Sequence, residues 1–373
     1  MKKFTFIFFS LLLTAFAVAN LSFNTIQKAA DALLFDGPYV LYRNDQVFIK
    51  YVYDEGGVKS IKTDSIPMAQ KGSLSLMVGT DVPGKTFSVQ LKKELENEKT
   101  GTDKASKQFI VSDIEGNFRA FRKLLQGNGV IDENFNWTFG EGHLVLIGDF
   151  FDRGDQVTEV LWLIYSLEDK AKAAGGHVHF VLGNHEIMNL NGDIRYVHPK
   201  YFEGARLVNE NYMTLYGDQS ELGRWLRTKN IMEKVGDILF IHGGISAEVN
   251  RMDLSPDKVN QLARPYYADS TYKFPDPRID TLYSEFGPFW FRGYYTGQQR
   301  TGLPQVDSTL SLYGVKHIAT GHTVISDTIS VLFNGKVFNT DVHHVKGHSE
   351  ALLLEDGKFY RVNALAEKFL VLE

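Results

Sequence analysis

The sequence contains no cysteine among its 373 residues. Disulfide bonds, thiolate metal ligands, cysteine nucleophiles and a lipid anchor on an N-terminal cysteine are therefore excluded. Any metal ion must be bound by histidine, aspartate, glutamate, asparagine or water. The chain also has no excess of positive charge, because 40 Lys and Arg residues against 45 Asp and Glu residues give a formal net charge of −5. This balance argues against a general nucleic-acid-binding protein.

Long apolar runs are absent except at the N-terminus. Lys2 and Lys3 precede an apolar run over residues 4–16, and residues 17–19 (Ala-Val-Ala) have the small side chains of a signal-peptidase site. The run is shorter than the roughly 20 residues that a membrane-spanning helix needs. A cleaved signal peptide is therefore favoured over a membrane anchor. We expect cleavage after Ala19, a periplasmic or secreted mature protein and no stable membrane insertion.

The remaining composition is that of a globular protein, with 43% hydrophobic and 23% charged residues. Strand-like runs at residues 39–42, 47–53 and 73–78 are separated by turn residues and predict an antiparallel β-rich segment. A charged stretch over residues 92–107 is interpreted as a linker. The predicted organisation is a signal peptide at 1–19, a β-rich segment with its linker at 20–107, and a larger domain at 108–373.

From residue 108 onward, short apolar runs alternate with amphipathic helical patterns, which predicts a layered α/β fold. Polar residues follow the predicted strands near their carboxyl ends: Asp113, Asp149, Asn184, His242 and His322. Each one taken alone is better explained as a turn residue or a helix cap. In an open α/β sheet, however, ligands bind outside the carboxyl ends of the strands. We therefore expect these five side chains to converge on one site.

The local sequences around these residues are rich in glycine and in hard metal ligands. They read Asp-Ile-Glu-Gly-Asn at 113–117, GDFFDRG at 148–154, GNHE at 183–186, HGG at 242–244 and GHT at 321–323. Carboxylate, imidazole and amide groups suit Mn²⁺, Fe or Zn²⁺. Two-metal hydrolases hold their ions about 3.5–4 Å apart. A shared carboxylate is then needed, and Asp149, in the middle of the set, is the natural bridge.

In this order, the five blocks resemble the calcineurin-like metallophosphoesterases over roughly residues 108–345. The GDFFDRG, GNHE and HGG blocks resemble the phosphoprotein-phosphatase branch, which includes the bacterial Shewanella-like protein phosphatases. Val324 follows the GHT block, and this branch likewise lacks the second histidine of other metallophosphoesterases. The resemblance implies a four-layer α/β/β/α sandwich, preceded here by the small β-rich N-terminal segment.

The resemblance also implies two divalent metal ions, with manganese favoured and iron, zinc or magnesium as alternatives. The implied ligands are Asp113, Glu115 and Asp149 for the first ion, and Asp149, Asn184, His242 and His322 for the second. One residue departs from the family pattern, because Glu115 stands where relatives usually carry histidine. A carboxylate can still bind a metal ion. The alternative is that Glu115 is a turn residue and that the first metal is weak or absent.

The resemblance assigns the acid–base and phosphate-binding roles as well. His185 is the expected general acid, oriented by Asp152, while Arg153 and Asn184 are expected to contact the substrate. Arg292 is either a second phosphate-binding arginine or a surface arginine stacked on a neighbouring aromatic ring. No covalent nucleophile is needed when two metals activate a water molecule.

These residues predict an exported phosphoesterase that hydrolyses phosphomonoesters by a water activated between two metals. The expected partner is a phosphorylated small molecule, phosphopeptide or phosphoprotein, and not a nucleic acid. Two alternatives stay open from the sequence. One is a nucleotide or dinucleoside-polyphosphate hydrolase, and the other is a non-catalytic phospho-ligand-binding protein that has lost turnover through Glu115.

Overall fold

The computed structural model describes residues 33–102, 105–297 and 300–373. The predicted signal peptide and its cleavage after Ala19 lie outside these residues. Within the described ranges, no helix combines the length and the apolar character needed to cross a bilayer.

The N-terminal segment is built from β-strands, as expected. Strands β1 (Leu33–Arg43), β2 (Gln46–Glu55) and β3 (Val58–Pro67) form an antiparallel sheet, and β4 (Ser75–Gly79) pairs with β5 (Thr86–Gln90). Sequence patterning did not identify β3 or β5. Strand β3 is mostly polar and exposed and forms by pairing with β2 along its whole length. Such a strand carries no apolar periodicity that its own sequence could reveal.

Part of the predicted linker belongs to the folded core. Strand β6 (Gly101–Thr102) pairs in parallel with strand β10 (Met232–Val235) and so forms the edge of a six-stranded sheet. Glu98 is also bound, because its carboxylate lies 3.2 Å from the buried ammonium group of Lys229. Both partners come from more than 100 residues away, so charge content alone could not indicate them.

Two six-stranded sheets form the centre of the molecule. Besides β6 and β10, their strands are β7 (Lys107–Val111), β8 (His143–Ile147), β9 (His177–Val181), β11 (Ile238–Ile241), β12 (His317–Thr320), β13 (Ser330–Leu332), β14 (Val337–Asn339), β15 (Glu350–Glu355), β16 (Lys358–Asn363) and β17 (Lys368–Leu372). The first sheet has the order β17-β16-β15-β7-β8-β9 and the second has the order β13-β14-β12-β11-β10-β6.

Helices cover the outer faces of the sheets and build the insertions. They are α1 (Phe118–Gly127), α2 (Val157–Ala173), α3 (Asn184–Asn191), α4 (Pro199–Leu207), α5 (Tyr212–Leu215), α6 (Glu221–Leu226), α7 (Ala247–Arg251), α8 (Pro256–Ala263), α9 (Pro277–Tyr283) and α10 (Leu303–Tyr313). Short 3₁₀ turns occur at Met68–Ser73, Arg264–Tyr266 and His344–Lys346.

The central strands of the sheets are buried on both faces, which explains why they read as continuous apolar runs. Along β8, Leu144 and Leu146 belong to the large cluster that includes the helices, whereas Val145 and Ile147 belong to a second cluster. That second cluster also contains Phe240 of the other sheet, so it lies between the two sheets. The expected arrangement of two sheets between helical layers is therefore confirmed.

The parallel strands bring their carboxyl ends to one edge. Strands β7, β8 and β9 are parallel within the first sheet, and β11, β12 and β14 are parallel within the second. The amide of Leu182, just after β9, donates to the carbonyl of Asn230, just before β10, at 2.8 Å. This bond joins the two sheets beside the edge that carries the candidate site.

Candidate active site at the carboxyl ends of the strands

Each of the five strand-end residues occupies the position that the sequence predicted. Asp113 and Asp149 follow β7 and β8, Asn184 begins α3 after β9, and His242 and His322 follow β11 and β12. All five are at most 6% exposed. Residues that are more than 200 positions apart in the chain therefore share one buried site.

Two glycines permit this close approach. A Cβ atom at Gly183 would lie 2.3 Å from Oδ1 of Asp149, and a Cβ atom at Gly321 would lie 2.3 Å from Oδ2 of Asp113. Any larger residue at either position would displace a carboxylate. The glycines of the GNHE and GHT blocks thus make room for the functional side chains next to them.

The backbone at the site is unusually strained. Left-handed φ angles occur at Asp113, Glu115, Asp149, Asp152, Arg153 and His322. Such conformations cost of order 1–3 kcal/mol for each non-glycine residue and cluster where function requires an imposed geometry. The strain therefore marks the same residues that the sequence motifs identify.

The hydrogen bonds of His242 leave one ring nitrogen facing only oxygen acceptors. Its Nδ1–H must donate to the carbonyl of Ile147, 2.7 Å away, because a carbonyl only accepts. Nε2 then lies 3.1 Å from Oδ2 of Asp149 and 3.0 Å from Oδ1 of Asn184. A proton on Nε2 satisfies both oxygens: although burial lowers the pKa of His242, the charge of Asp149 raises it overall to about 10. A divalent ion bound to Nε2 would take the place of that proton. This is the arrangement expected of a metal ligand held by a carbonyl on its far side.

His322 completes the same group. Its Nε2 is buried and has no hydrogen-bond partner within the described part of the chain. Burial and the positive charge of His242 keep the pKa of His322 well below its usual value, so its ring is neutral and can act as a ligand. Single ligand atoms of Asp149, His242 and His322 all lie within 4.8 Å of one another. The donor set therefore fits a divalent ion, with Asn184 adjacent.

A second group shares Asp149. Ligand atoms of Glu115, Asp149 and His185 lie within 4.8 Å of one another. Asp113 belongs to neither of these groups among the described residues, although its carboxylate oxygens accept the amide of His322 at 3.1 and 3.2 Å. The structure thus brings Glu115 to the shared carboxylate and holds Asp113 beside His322 of the first group.

The electrostatics of the two central aspartates differ. Burial and the negative charge of Asp149 raise the pKa of Asp113 to about 7, although His242 opposes that shift. Burial also penalises ionisation of Asp149, but His242 and His185 together hold the pKa of Asp149 well below its usual value. Asp149 is therefore the permanently ionised carboxylate at the centre of the site.

Arg153 reaches the site from the GDFFDRG loop. Its side chain is 52% exposed and its guanidinium contacts the carboxylate of Glu115. Its backbone amide donates to the carbonyl of Tyr196 at 2.9 Å, and its Cζ atom lies 5.8 Å from the Tyr196 ring centroid. The arginine is thus anchored through its backbone, while its charged group lines the cavity beside Glu115.

His185 is held by Asp152 in the manner predicted for a general acid. Nδ1 of His185 lies 2.6 Å from Oδ2 of Asp152, and Nε2 lies 3.8 Å from Oδ2 of Asp149. Burial alone would lower the pKa of His185, but the charges of Asp149 and Asp152 raise it overall. The imidazole can therefore carry a proton at neutral pH.

Arg292 lines the same cavity, which measures about 670 Å³. Its Nη1 donates to the carbonyl of His322 at 2.6 Å and to the hydroxyl of Thr323 at 3.0 Å. Arg292 is therefore fixed to the GHT loop and faces the cavity, which favours the phosphate-binding interpretation over a stacked surface arginine.

Two further residues at this site went unnoticed in the sequence. Glu186 is fully buried and its carboxylate accepts the backbone amides of Asp149, Phe150, Phe151 and Gly183 at 2.7–3.2 Å. Asp341 is 6% exposed, follows β14 and lines the cavity. The strand-end rule would have identified Asp341, whereas the role of Glu186 depends on backbone groups that no motif displays.

Comparisons with known proteins agree with this site. Residues 107–326, more than half of the chain, match the calcineurin-like phosphoesterase family. The chain is 24% identical over 334 residues to Shewanella-like protein phosphatase 2 of Arabidopsis thaliana, covering 77% of this chain and 84% of that protein.

The crystal structure of a cold-active protein-tyrosine phosphatase from a psychrophilic Shewanella species superposes with a TM-score of 0.80 at 36% identity, covering 90% of this chain and 98% of that one. A symmetrical bis(5'-nucleosyl)-tetraphosphatase of Buchnera aphidicola is 30% identical over 145 residues, covering 38% of this chain and 45% of that protein.

Proposed function

Because the chain belongs to the calcineurin-like phosphoesterase family and is a hydrolase of phosphoesters, we propose that it is a metal-dependent phosphomonoesterase acting on phosphorylated peptides or proteins. Aryl phosphates such as phosphotyrosine are the preferred substrates in this proposal. The observation that carries it is the position of the Asp149 carboxylate, which shares one group of possible ligand atoms with His242 and His322 and another with Glu115.

The proposal assigns two divalent ions, with manganese first. One ion would be held by Asp149, Asn184, His242 and His322, and the other by Asp113, Glu115 and Asp149. Hard oxygen and imidazole donors without sulfur support this choice of metals. When bound, divalent ions supply Lewis acidity, which makes a water molecule a better nucleophile and offsets the charge of the phosphoryl oxygens.

The two arginines bind and orient the phosphate. Arg153 is exposed at the cavity mouth, and Arg292 is fixed by bonds to the GHT loop. A planar guanidinium matches two phosphate oxygens at once. Binding of the substrate phosphate to Arg153 displaces Glu115 from the guanidinium and leaves that carboxylate to face Asp149.

His185 delivers the proton that the departing oxygen needs. Its Nδ1 is held by Asp152 at 2.6 Å, so the remaining Nε2–H points into the cavity. Donation from Nε2 to the ester oxygen neutralises the alkoxide or phenoxide as the bond to phosphorus breaks. Such acid catalysis typically contributes about 10²–10⁴ in rate.

A phosphatase is favoured over a dinucleotide hydrolase by the extent of the similarity. The phosphatase relatives match over 77% and 90% of the chain, against 38% for the tetraphosphatase. Export is part of the proposal and is supported by the basic and apolar pattern of residues 2–19. N-terminal sequencing of the protein from separated cell fractions tests export, and recovery with Met1 in the cytoplasm would contradict it.

The function is tested by measuring phosphate release from the purified protein with Mn²⁺. The panel contains a phosphotyrosine peptide, the same peptide with phosphoserine, and diadenosine tetraphosphate. We expect the highest kcat/KM for the phosphotyrosine peptide and complete loss with EDTA. Preference for the dinucleotide would replace the proposal with the nucleotide alternative. Binding of phosphopeptide without turnover would favour the non-catalytic alternative.

A further inference from the structure

A chain of hydrogen bonds continues from the His185–Asp152 pair away from the cavity. The other carboxylate oxygen of Asp152, Oδ1, accepts Nδ2 of Asn189 at 2.8 Å. The carbonyl oxygen of Asn189, Oδ1, in turn accepts the hydroxyl of Tyr212 at 2.5 Å. The sequence motifs identified neither Asn189 nor Tyr212.

The orientation of the Asn189 amide is unambiguous. Its Nδ2 lies 2.9 Å from the carbonyl oxygen of His185 as well as 2.8 Å from Oδ1 of Asp152, and both of these partners are oxygen acceptors. Nδ2 therefore uses both of its hydrogens, and Oδ1 is left to accept from Tyr212. Asn189 lies four residues after His185 on helix α3, so one amide group clamps both members of the pair.

This network is closed to solvent. Asn189 is fully buried, Asp152 is 2% exposed and Tyr212 is 6% exposed. The ring of Tyr212 packs against Phe202 and Tyr216, at centroid distances of 5.4 and 5.5 Å. Water therefore has no direct route to replace the Asn189 amide, and its loss would leave one Asp152 oxygen buried and unpaired.

We propose that Asn189 is a positioning residue, which fixes the Asp152 carboxylate so that His185 presents Nε2 to the leaving oxygen, with Tyr212 securing the Asn189 amide. The inference rests on the proposed role of His185 as the general acid. It goes beyond that role, because it predicts that two residues outside the cavity control how well a poor leaving group departs.

The test uses a double-mutant cycle and two substrates. Asn189→Leu, His185→Asn and the double variant are assayed with p-nitrophenyl phosphate, which has a good leaving group, and phenyl phosphate, which has a poorer one. Asn189→Leu should lower kcat for phenyl phosphate by roughly 10- to 100-fold, and clearly less for p-nitrophenyl phosphate. In the His185→Asn background, Asn189→Leu should cost nothing further.

A control variant on the same helix separates the proposed effect from a general loss of structure. Asn191 lies on the same helix and donates to the hydroxyl of Tyr272 at 2.6 Å, so Asn191→Leu removes a comparable amide without touching Asp152. It should leave the ratio of the two rates unchanged. Metal content and melting temperature are recorded for every variant. If Asn189→Leu does not fold, Tyr212→Phe removes a single oxygen atom. It should again lower kcat more for phenyl phosphate than for p-nitrophenyl phosphate, but by a smaller factor of roughly 3- to 10-fold.

The inference would be overturned if Asn189→Leu lowered kcat equally for both substrates or did not lower it at all. It would also be overturned if Asn189→Leu caused the same loss of kcat in the His185→Asn background. Asn189 would then be a structural residue. A separate outcome refutes the proposed role of His185, while the proposed phosphomonoesterase activity would still stand. If His185→Asn shows no dependence on the leaving group, then His185 is not the general acid, and the positioning inference falls with it.

Discussion

Replacing Glu186 by Gln should damage the site without altering any group that contacts substrate. Oε1 of Glu186 accepts the amides of Phe150 and Phe151 at 2.7 and 3.2 Å, and Oε2 accepts those of Asp149 and Gly183 at 2.8 and 2.7 Å. A glutamine carries only one acceptor oxygen. Two of the four amides must therefore lose their partner and face an NH₂ group.

The size of the effect follows from these four bonds. A hydrogen bond to a charged group contributes about 1.5–3 kcal/mol, so two lost bonds amount to about 3–6 kcal/mol. Some of this loss is offset, because burial and the charge of Asp149 raise the pKa of Glu186 and make its ionised form costly. We expect Glu186→Gln to lower the free energy of unfolding by about 3–5 kcal/mol, a large share of typical domain stability.

The assay is urea unfolding of the metal-free protein in EDTA. It measures the free energy of unfolding without any contribution from bound metal. A calorimetric titration with Mn²⁺ then measures affinity, which should fall roughly 10- to 100-fold because the loop carrying Asp149 is no longer held. Glu159→Gln is the matched control. Glu159 is also buried, but its Oε2 has no partner within the described residues, and its Oε1 lies 3.5 Å from Lys200. Burial raises the pKa of Glu159 to about 7, so at pH 6 its side chain is mostly neutral and glutamine is a close match for it. At that pH its replacement should change the free energy of unfolding by less than about 1 kcal/mol.

Equal effects of the two substitutions would refute this reasoning, since it attributes the loss to satisfied hydrogen bonds and not to burial of a carboxylate. Unchanged Mn²⁺ affinity in folded Glu186→Gln would separately refute the claim that Glu186 holds the Asp149 loop in its binding conformation.

Further predictions concern single residues. Glu115→Ala should remove one of the two proposed ions, and Glu115→His should restore it, as measured by elemental analysis; full metal content in the alanine variant would make Glu115 a turn residue only. Arg153→Ala should lower kcat/KM about 10²–10³-fold for aryl and alkyl phosphates alike, because it removes charge stabilisation and not a proton. Burial and the charge of Glu98 raise the pKa of Glu233 from 4.5 to about 8. The folded state therefore binds this proton more tightly than the unfolded state does, and the wild type loses that stabilisation as pH rises from 4.5 through 8. Relative to the wild type, the free energy of unfolding of Glu233→Gln should rise by up to about 1.4 kcal/mol per pH unit between pH 5 and 8. Urea unfolding at pH 5 and at pH 8 measures this change. If the free energies of unfolding of the variant and the wild type differ by the same amount at both pH values, the raised pKa of Glu233 is contradicted.

The strand-end rule predicted much of the site from sequence. Strands β7, β8, β9, β11 and β12 are short and mostly apolar, and they are buried towards their carboxyl ends. Those ends could therefore be located from the sequence, and each is followed within three residues by a polar group. Because parallel strands end at one edge, the positions of five site residues followed without knowledge of any contact. The same rule applied to β14 would have added Asp341.

Other features depended on contacts that no local pattern contains. Strand β3 forms through its pairing with β2, and β6 through its pairing with β10. The clamp made by Asn189 needs Tyr212 from a separate helix, and the role of Glu186 needs backbone amides of two loops. Hydrogen bonds between distant segments leave no periodicity in either partner, so sequence reasoning finds the ligands more readily than the groups that hold them.

The most direct test of the central claim is metal content and phosphate release measured together for the wild type and Asp149→Asn. Asp149 is the common member of both ligand groups. The wild type should bind two ions per chain and hydrolyse p-nitrophenyl phosphate with Mn²⁺, and EDTA should abolish this activity. Asp149→Asn should lose metal and turnover together while remaining folded. Turnover that resists EDTA, or a folded Asp149→Asn variant that keeps both ions and full activity, would contradict a reaction centred on this shared carboxylate.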